Sequence, residues 1–195
     1  MFSHCYSLES IDISNFVTSN VVDINSMFYL CHSLTSINFN IKNFVTVKVP
    51  IISYLFSHCY SLTTIDISNF NTKNIWGFND MFSHCYSITS INILHFDFYN
   101  YNSLDNMFSG CYSLTSIAFP NIQIRYYYGI FNFLFYDCPN LNLVNISTFD
   151  LYAYSEDLFN TNISSSGTLI ISQRFYNDYI KKYFIPQNWK IIPNY

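Results

Sequence analysis

The sequence has little charge. Lysine and arginine together number 8 and aspartate and glutamate 12 among 195 residues, whereas soluble domains average about 25% charged residues. Asparagine, serine and threonine must therefore supply most of the surface that faces water. Residues 1–170 hold four basic and eleven acidic side chains, while residues 171–195 hold four basic and one acidic. An acidic body of this kind lacks the basic stripe that nucleic-acid binding requires, so we expect no nucleic-acid partner.

Other features are absent as well. No run of 18 apolar residues occurs, so we expect no membrane insertion by these residues. The N-terminal residues show no basic stretch followed by an apolar core, so they contain no visible signal peptide or anchor. No paired carboxylates, nucleophile–base set or glycine-rich phosphate loop recurs. We therefore expect a protein that is not an enzyme and that carries no cofactor.

The feature that dominates the chain is a repeat marked by six cysteines. They lie 26, 28, 26, 26 and 27 residues apart, at Cys5, Cys31, Cys59, Cys85, Cys111 and Cys138. Each cysteine follows an aliphatic residue, a phenylalanine and two variable residues. A leucine or isoleucine stands three places after it, and two further apolar residues stand six and eight places after it. Six copies of a pattern with so many fixed positions identify a repeat protein.

The repeat predicts short strands joined by turns. Apolar residues six and eight places after the cysteine alternate with period 2, as in Ile11 and Ile13, which is typical of a strand with one buried face. Serine, asparagine or proline then favours a turn. The apolar residues of Met/Leu-Phe-x-x-Cys lie three or four apart, which predicts a helical or 3₁₀ turn. One copy buries too few side chains to offset the entropy of ordering about 26 residues, so the copies must stack as a solenoid.

Text such as SLTTIDISNFNTKNI followed by MFSHCYSITSI resembles the BspA-like leucine-rich repeats of bacterial surface proteins, in the variant abundant in mycoplasmas. The best-matching pieces are residues 11–28 and 65–88. The resemblance implies a β-rich right-handed solenoid of leucine-rich-repeat type. It would have about six repeats of roughly 26 residues, with short strands, short helical turns and a C-terminal cap. It also implies a surface or secreted protein that binds host or partner proteins, in a family not known for catalysis.

We expect two parts in the chain, a solenoid over residues 1–159 and a strand–helix cap over residues 160–195. In the cap, SSSGTLIIS predicts a loop and a strand, and QRFYNDYIKKYFI an amphipathic helix. The lysines of the cap would keep an edge strand from pairing further. Met1 occupies the slot of Met27 in the next copy, so the first repeat is incomplete. We expect either a piece of a longer solenoid or a first turn that is exposed.

The cysteines predict an interior row of thiols, because free cysteine behaves as a small buried hydrophobe. Disulfides between neighbouring turns are an alternative. Zinc binding at the His-Cys pairs is a weaker one, because adjacent residues point different ways and the spacing is not that of a zinc site. Tyrosines one residue after the cysteine are expected to stack between turns at the surface, and these are Tyr6, Tyr60, Tyr86 and Tyr112.

Aromatic residues in the variable arcs are the candidate partner-binding residues, because interface hot spots favour tryptophan and tyrosine. They are Trp76, Phe78, Tyr99, Tyr101, Tyr126, Tyr127 and Tyr128. The alternative is that they simply pack the coil. The favoured function is a non-catalytic surface or secreted solenoid for adhesion or recognition, whose partner is a protein or a glycan. The alternative function is an intracellular structural scaffold or host-directed effector with no dedicated ligand site.

Overall fold

In a computed structural model the chain forms a β-solenoid of about six turns. The structure describes residues 1–39, 46–68, 70–98, 103–120, 122–123, 131–150, 158–159, 162–173, 176 and 185–194. Among these residues the strands are β1 Ser10–Asp12, β2 Ser36–Asn38, β3 Ser116–Ala118, β4 Ile122–Gln123, β5 Leu143–Ile146, β6 Phe149–Asp150, β7 Gly167–Ser172 and β8 Trp189–Asn194.

All strand pairs are parallel, as expected where each turn repeats the last. One sheet contains β1 and β2, a second has the order β3-β5-β7-β8, and a third contains β4 and β6. The register pairs equivalent repeat positions, such as Ile11 with Ile37 and Ile117 with Val144. Copies three and four keep the alternation, with Ile67 and Ile93 buried, but their described residues form no paired strand.

The turns are joined in every copy by another segment, the six residues that end at each cysteine, which we call the turn segment. In residues 26–31, the N–H groups of Phe28 and Leu30 donate to the carbonyls of Leu55 and Ser57 on the next turn, both at 3.0 Å. The intervening N–H groups of Tyr29 and Cys31 bond back to the carbonyls three residues earlier. Alternate amides thus bond along the solenoid axis and within the turn, so every backbone donor of the segment is used.

The prediction of a helical turn in this segment is wrong. The residues five places and one place before the cysteine have positive φ, and a left-handed residue interrupts any right-handed helix. In each pair named next, the second residue stands immediately before the cysteine. The full set is Ser26 and Leu30, Tyr54 and His58, Asp80 and His84, Asn106 and Gly110, and Phe133 and Asp137, with His4 in the first copy. A left-handed third residue is the feature of a type II turn, so the segment is a series of tight turns.

A ladder of stacked rings fills the core, with one phenylalanine from each of the six turn segments and Phe159 beyond them. We call it the Phe ladder, and it consists of Phe2, Phe28, Phe56, Phe82, Phe108, Phe135 and Phe159. Neighbouring ring centroids lie between 5.4 and 6.1 Å apart. Trp189 of β8 closes the C-terminal end, with its ring centroid 5.3 Å from that of Phe159.

The thiols form an interior row, as the sequence predicts. All six are free, and from Cys31 onward each S–H donates to the carbonyl of the phenylalanine in the preceding turn segment, with S···O distances of 3.0–3.2 Å. Burial raises the pKa of the Cys31 thiol to about 11 and that of Cys138 to about 12. A small apolar side chain with one weak donor fits this slot.

The two ends of the solenoid differ. The predicted strand of the cap is confirmed as β7, and β8 extends the sheet beyond it with Lys190 and Pro193. Proline and lysine both hinder further pairing at an edge strand. The predicted helix over residues 173–185 lies largely outside the described residues, and the division at residue 159 stays a prediction. At the other end the Met1 side chain is 85% exposed.

Candidate partner-binding surfaces

Trp76 lies at the surface, as a partner-binding residue must. Its indole side chain is 49% exposed, and its backbone N–H donates to the carbonyl of Pro50 at 2.8 Å. The neighbouring Gly77 bridges Ile51 and Ser103 on the adjacent turns, which fixes the backbone beneath the ring. The other candidate tyrosines, Tyr99, Tyr101, Tyr126, Tyr127 and Tyr128, lie outside the described residues.

Phe78 lies in the core. Its ring is fully buried, with centroids 5.7 Å from Phe96 and 5.1 Å from Phe98. Ile75 is also buried, so the buried positions here are three residues apart, with the exposed Trp76 between them. The expectation that Phe78 contacts a partner is therefore corrected, because its ring offers no surface.

A second ladder of rings runs along the outside of the turns, one residue after each cysteine. We call it the outer ladder, and it consists of Tyr6, His32, Tyr60, Tyr86 and Tyr112. Successive centroids lie 4.9, 4.2, 4.5 and 4.7 Å apart. The predicted surface stack of tyrosines is confirmed. The sequence argument missed His32, although His32 occupies the same slot of the second copy.

Histidines flank the outer ladder in the left-handed position just before the cysteine. The rings of His58 and His84 have centroids 4.6 Å apart, and that of His58 lies 5.8 Å from Tyr60. The Nδ1 atom of His58 is hydrogen-bonded to the hydroxyl of the buried Ser57 at 2.8 Å, which holds the ring against the turn. His84 packs over Gly110, where a Cβ atom would lie 2.4 Å from its Nδ1.

Several rings of these aromatic rows are uncharged at neutral pH. Partial burial, together with the neighbouring His84 and His32, lowers the pKa of His58 to about 4. Burial and the adjacent Tyr86 raise the pKa of Tyr60. The hydroxyl of Tyr112 donates to Asp137 at 2.7 Å, and this bond raises the pKa of Tyr112 to about 12. His58 and these tyrosines are thus neutral at pH 7.

The outer face of the sheet divides into two chemically different halves. Its first half carries serine and threonine with Asp12 and Asp66, whose carboxylates accept the backbone N–H of Ser14 at 2.8 Å and Ser68 at 3.0 Å. Hydrogen bonds from the Ser14 and Ser68 side chains, together with these backbone bonds, lower the pKa of both carboxylates. The second half has a groove of about 320 Å³ lined by apolar side chains that include the exposed Leu94 and Leu143 and the half-buried Ala118 and Ile170.

The arrangement gives no sign of metal chemistry in the part of the chain that the structure describes. No group of three or more His, Cys, Asp or Glu side chains there is placed to hold a metal ion. In the His-Cys pairs the thiol bonds to an interior carbonyl while the imidazole lies on the outside, as for Cys59 and His58. The thiol and the imidazole of such a pair therefore cannot coordinate the same metal ion.

Comparison with known families gives the class of the protein. A family model described as BspA type leucine rich repeat region, with 6 copies, matches residues 79–195. A second, described as Mycoplasma protein of unknown function, DUF285, matches residues 1–119. The chain belongs to the BspA-type leucine-rich-repeat family, a class of repeat protein often used in protein binding. Searches of curated proteins and of solved structures gave no match.

No helix among the described residues has the length and apolar character that would let it cross a bilayer.

Proposed function

We propose that this chain is a non-catalytic recognition module, displayed at a cell surface or secreted, that binds a host protein through the outer ladder and the neighbouring arcs. The observation that carries the proposal is the outer ladder itself. Five stacked aromatic rings stand on the outside of a solenoid whose interior is already filled by the Phe ladder. The core does not require a second ring in every turn.

The chemistry of the ladder favours a protein partner over a glycan. Because Tyr60 and Tyr86 stack on their neighbours at 4.5–4.7 Å, their ring faces are covered and only edges and hydroxyls face solvent. A sugar that packs on an aromatic face finds a free face only at the ends of the ladder. Rigid tyrosine edges with hydroxyls offer contact area and hydrogen bonds at low entropic cost, as in antibody paratopes.

Trp76 supplies a second exposed aromatic anchor on a different arc of the turn. Its half-exposed indole is large enough to act as a hot spot. The arc tyrosines, Tyr99, Tyr101, Tyr126, Tyr127 and Tyr128, remain part of the proposed surface because they follow Trp76 in successive copies. Phe78 is left out because its ring is buried.

The test is binding of the labelled chain to fixed mammalian epithelial cells, measured by flow cytometry. We expect Tyr60→Ser with Tyr86→Ser to weaken binding at least about tenfold, since central hot-spot residues dominate an interface. Thr63→Ala with Thr89→Ala is the matched control, because these exposed side chains lie on the same two turns away from the ladder. Binding that resists protease but is lost after glycosidase would contradict the protein partner.

The intracellular scaffold or effector is a second candidate, favoured by the six free thiols, which are typical of reducing compartments. Antibody staining of the producing cells separates the two candidates. Staining of intact cells, or recovery of the chain from the medium, supports surface display or secretion. Staining that appears only after permeabilisation, with no chain in the medium, supports the scaffold.

A further inference from the structure

The apolar half of the sheet face requires an explanation that the recognition surface does not supply. Leu94 is 57% and Leu143 is 39% exposed, and both line the groove together with the half-buried Ala118 and Ile170. In the first two strands, Ser10 and Ser36 occupy the position of Leu143, and Asp12 and Asn38 that of Ala118 and Ile170. Leu94 stands two places beyond the strand positions, where the first copy has Ser14. Water-facing leucines clustered on one half of a regular face mark a contact site.

The two ends of this apolar region carry opposite charges. Eight levels make up the face, six from the cysteine-marked copies followed by β7 and β8. Asp66 lies on the third level and is exposed and ionised. Lys190 lies on the eighth and is the only cation in the described strands. The register places Lys190 beside Thr168, and Thr168 beside Leu143, so Lys190 lies on the same face.

The charges and the groove share one midpoint. The third and eighth levels are equally far from the gap between the fifth and sixth levels, which are β3 and β5. The groove residues occupy levels four to seven, so they are centred on the same gap. A two-fold rotation about an axis that lies in the plane of the face, roughly along the strands, exchanges the third level with the eighth. The pattern is therefore complementary to itself.

We infer that this face binds a second copy of the chain, sheet against sheet, in a two-fold symmetric dimer. Asp66 of each copy meets Lys190 of the other, and Leu143 and Ile170 of both copies cover the groove between them. Face-to-face packing of sheets with strands within about 30° of each other is a common geometry, and a two-fold interface needs a self-complementary surface. A different partner has no reason to match this symmetry.

The contact is small. Six levels spaced about 4.8 Å apart span roughly 25 Å, and only two or three side chains per level face outward. Such an area lies below the roughly 800 Å² per partner of a standard interface. We therefore expect a reversible dimer with a dissociation constant above about 10 μM, weakened by salt because two of its contacts are exposed ion pairs.

The experiment is sedimentation velocity of the full chain from about 10 μM to 1 mM, with the charges exchanged. Asp66→Lys alone and Lys190→Asp alone each place like charges together, and we expect each to weaken the dimer about tenfold. The double variant Asp66→Lys with Lys190→Asp restores opposite charges and should return the dimerisation constant to within about threefold of the original. Leu143→Asp should abolish the dimer, and its circular dichroism should stay unchanged because the side chain is exposed.

The matched control is Asp12→Lys, which makes the same change at the same repeat position but on the first level. In this arrangement no level of the second copy lies opposite Asp12, so the dimer should be unaffected. A chain that stays monomeric at 1 mM would overturn the inference and leave the groove to a different protein. Failure of the double variant to recover, or growth into larger open assemblies, would overturn the two-fold arrangement.

Discussion

Two ladders of rings run along the turns, one within the turn segments and one directly after them, and they differ in which residues they tolerate. The Phe ladder uses phenylalanine at all seven of its positions, with centroids 5.4–6.1 Å apart. The outer ladder is tighter, at 4.2–4.9 Å, yet it accepts His32 and is replaced by Pro139 in the sixth copy. A buried ring must fill a slot of fixed volume, whereas an exposed ring has only to cover its neighbour. The uniform residue type of the Phe ladder therefore reflects packing, and the variable residue types of the outer ladder are free to serve a function.

Replacing one ring in each ladder is the strongest test of this difference between the two ladders. We expect Phe82→Ala to lower the free energy of unfolding by about 3–5 kcal/mol, because it removes a fully buried ring and leaves a cavity. Tyr86→Ala, four residues away in the outer ladder, should cost only about 1–2 kcal/mol, since it loses two stacking contacts and part of a half-buried surface. Urea denaturation of both variants measures the difference. Equal losses would contradict the distinction between a structural and a surface ladder.

Gly110→Ala tests the contact between the turn segment and the histidine beside the outer ladder. The residue has φ of 71° and its added Cβ would meet the His84 ring, so we expect a loss of about 1–3 kcal/mol. In a His84→Ala background the ring is absent and only the backbone strain remains, so the same change should cost about 1 kcal/mol. A thermodynamic cycle of these variants measures the coupling. A purely additive result would show that the two residues do not meet.

The cysteine row allows a similar comparison along the solenoid axis, between a buried thiol and a half-exposed one. We expect Cys85→Ala to cost about 1–2 kcal/mol, because it removes a fully buried thiol and its bond to the Phe56 carbonyl. Cys5→Ala, at the half-exposed start of the row, should cost less than about 0.5 kcal/mol. The measurement is again the urea midpoint. If both changes cost the same, burial does not set the contribution of the thiols.

The sequence predicted the parts of the fold that depend on burial. Cysteines at a constant phase predicted the interior row, and alternation as in Ile117 and Phe119 predicted β3. Tyrosines one residue after the cysteine predicted the outer ladder. For the cysteines and the strands, one side of the chain must avoid water in every turn, and both the period and the residue type indicate that requirement.

The turn segment could not be predicted in the same way. Its left-handed positions include Tyr54 and Phe133, residue types that do not favour positive φ. Hydrogen bonds to the next turn impose the conformation there. Apolar spacing of three and four within the segment imitates a helix. Trp76 and Phe78 could not be separated either, since the bend that buries one and exposes the other comes from packing against the neighbouring turns.

Acid affects stability through His58, which belongs to the turn segment and whose ring centroid lies 5.8 Å from that of Tyr60 in the outer ladder. Its pKa is lowered from 6.5 to about 4 in the folded chain, so the unfolded chain binds more protons between these values. Stability contributed by His58 is therefore complete above about pH 6.5 and is lost as the pH falls toward 4. Burial of Asp80 raises the pKa of that carboxyl, which has the opposite effect on stability. We therefore compare the parent chain with His58→Asn, whose asparagine tolerates the φ of 62° at this position. The urea midpoint of the parent should fall more between pH 7 and pH 5 than that of the variant. An identical fall in both chains would show that His58 titrates in the folded state as it does in the unfolded state.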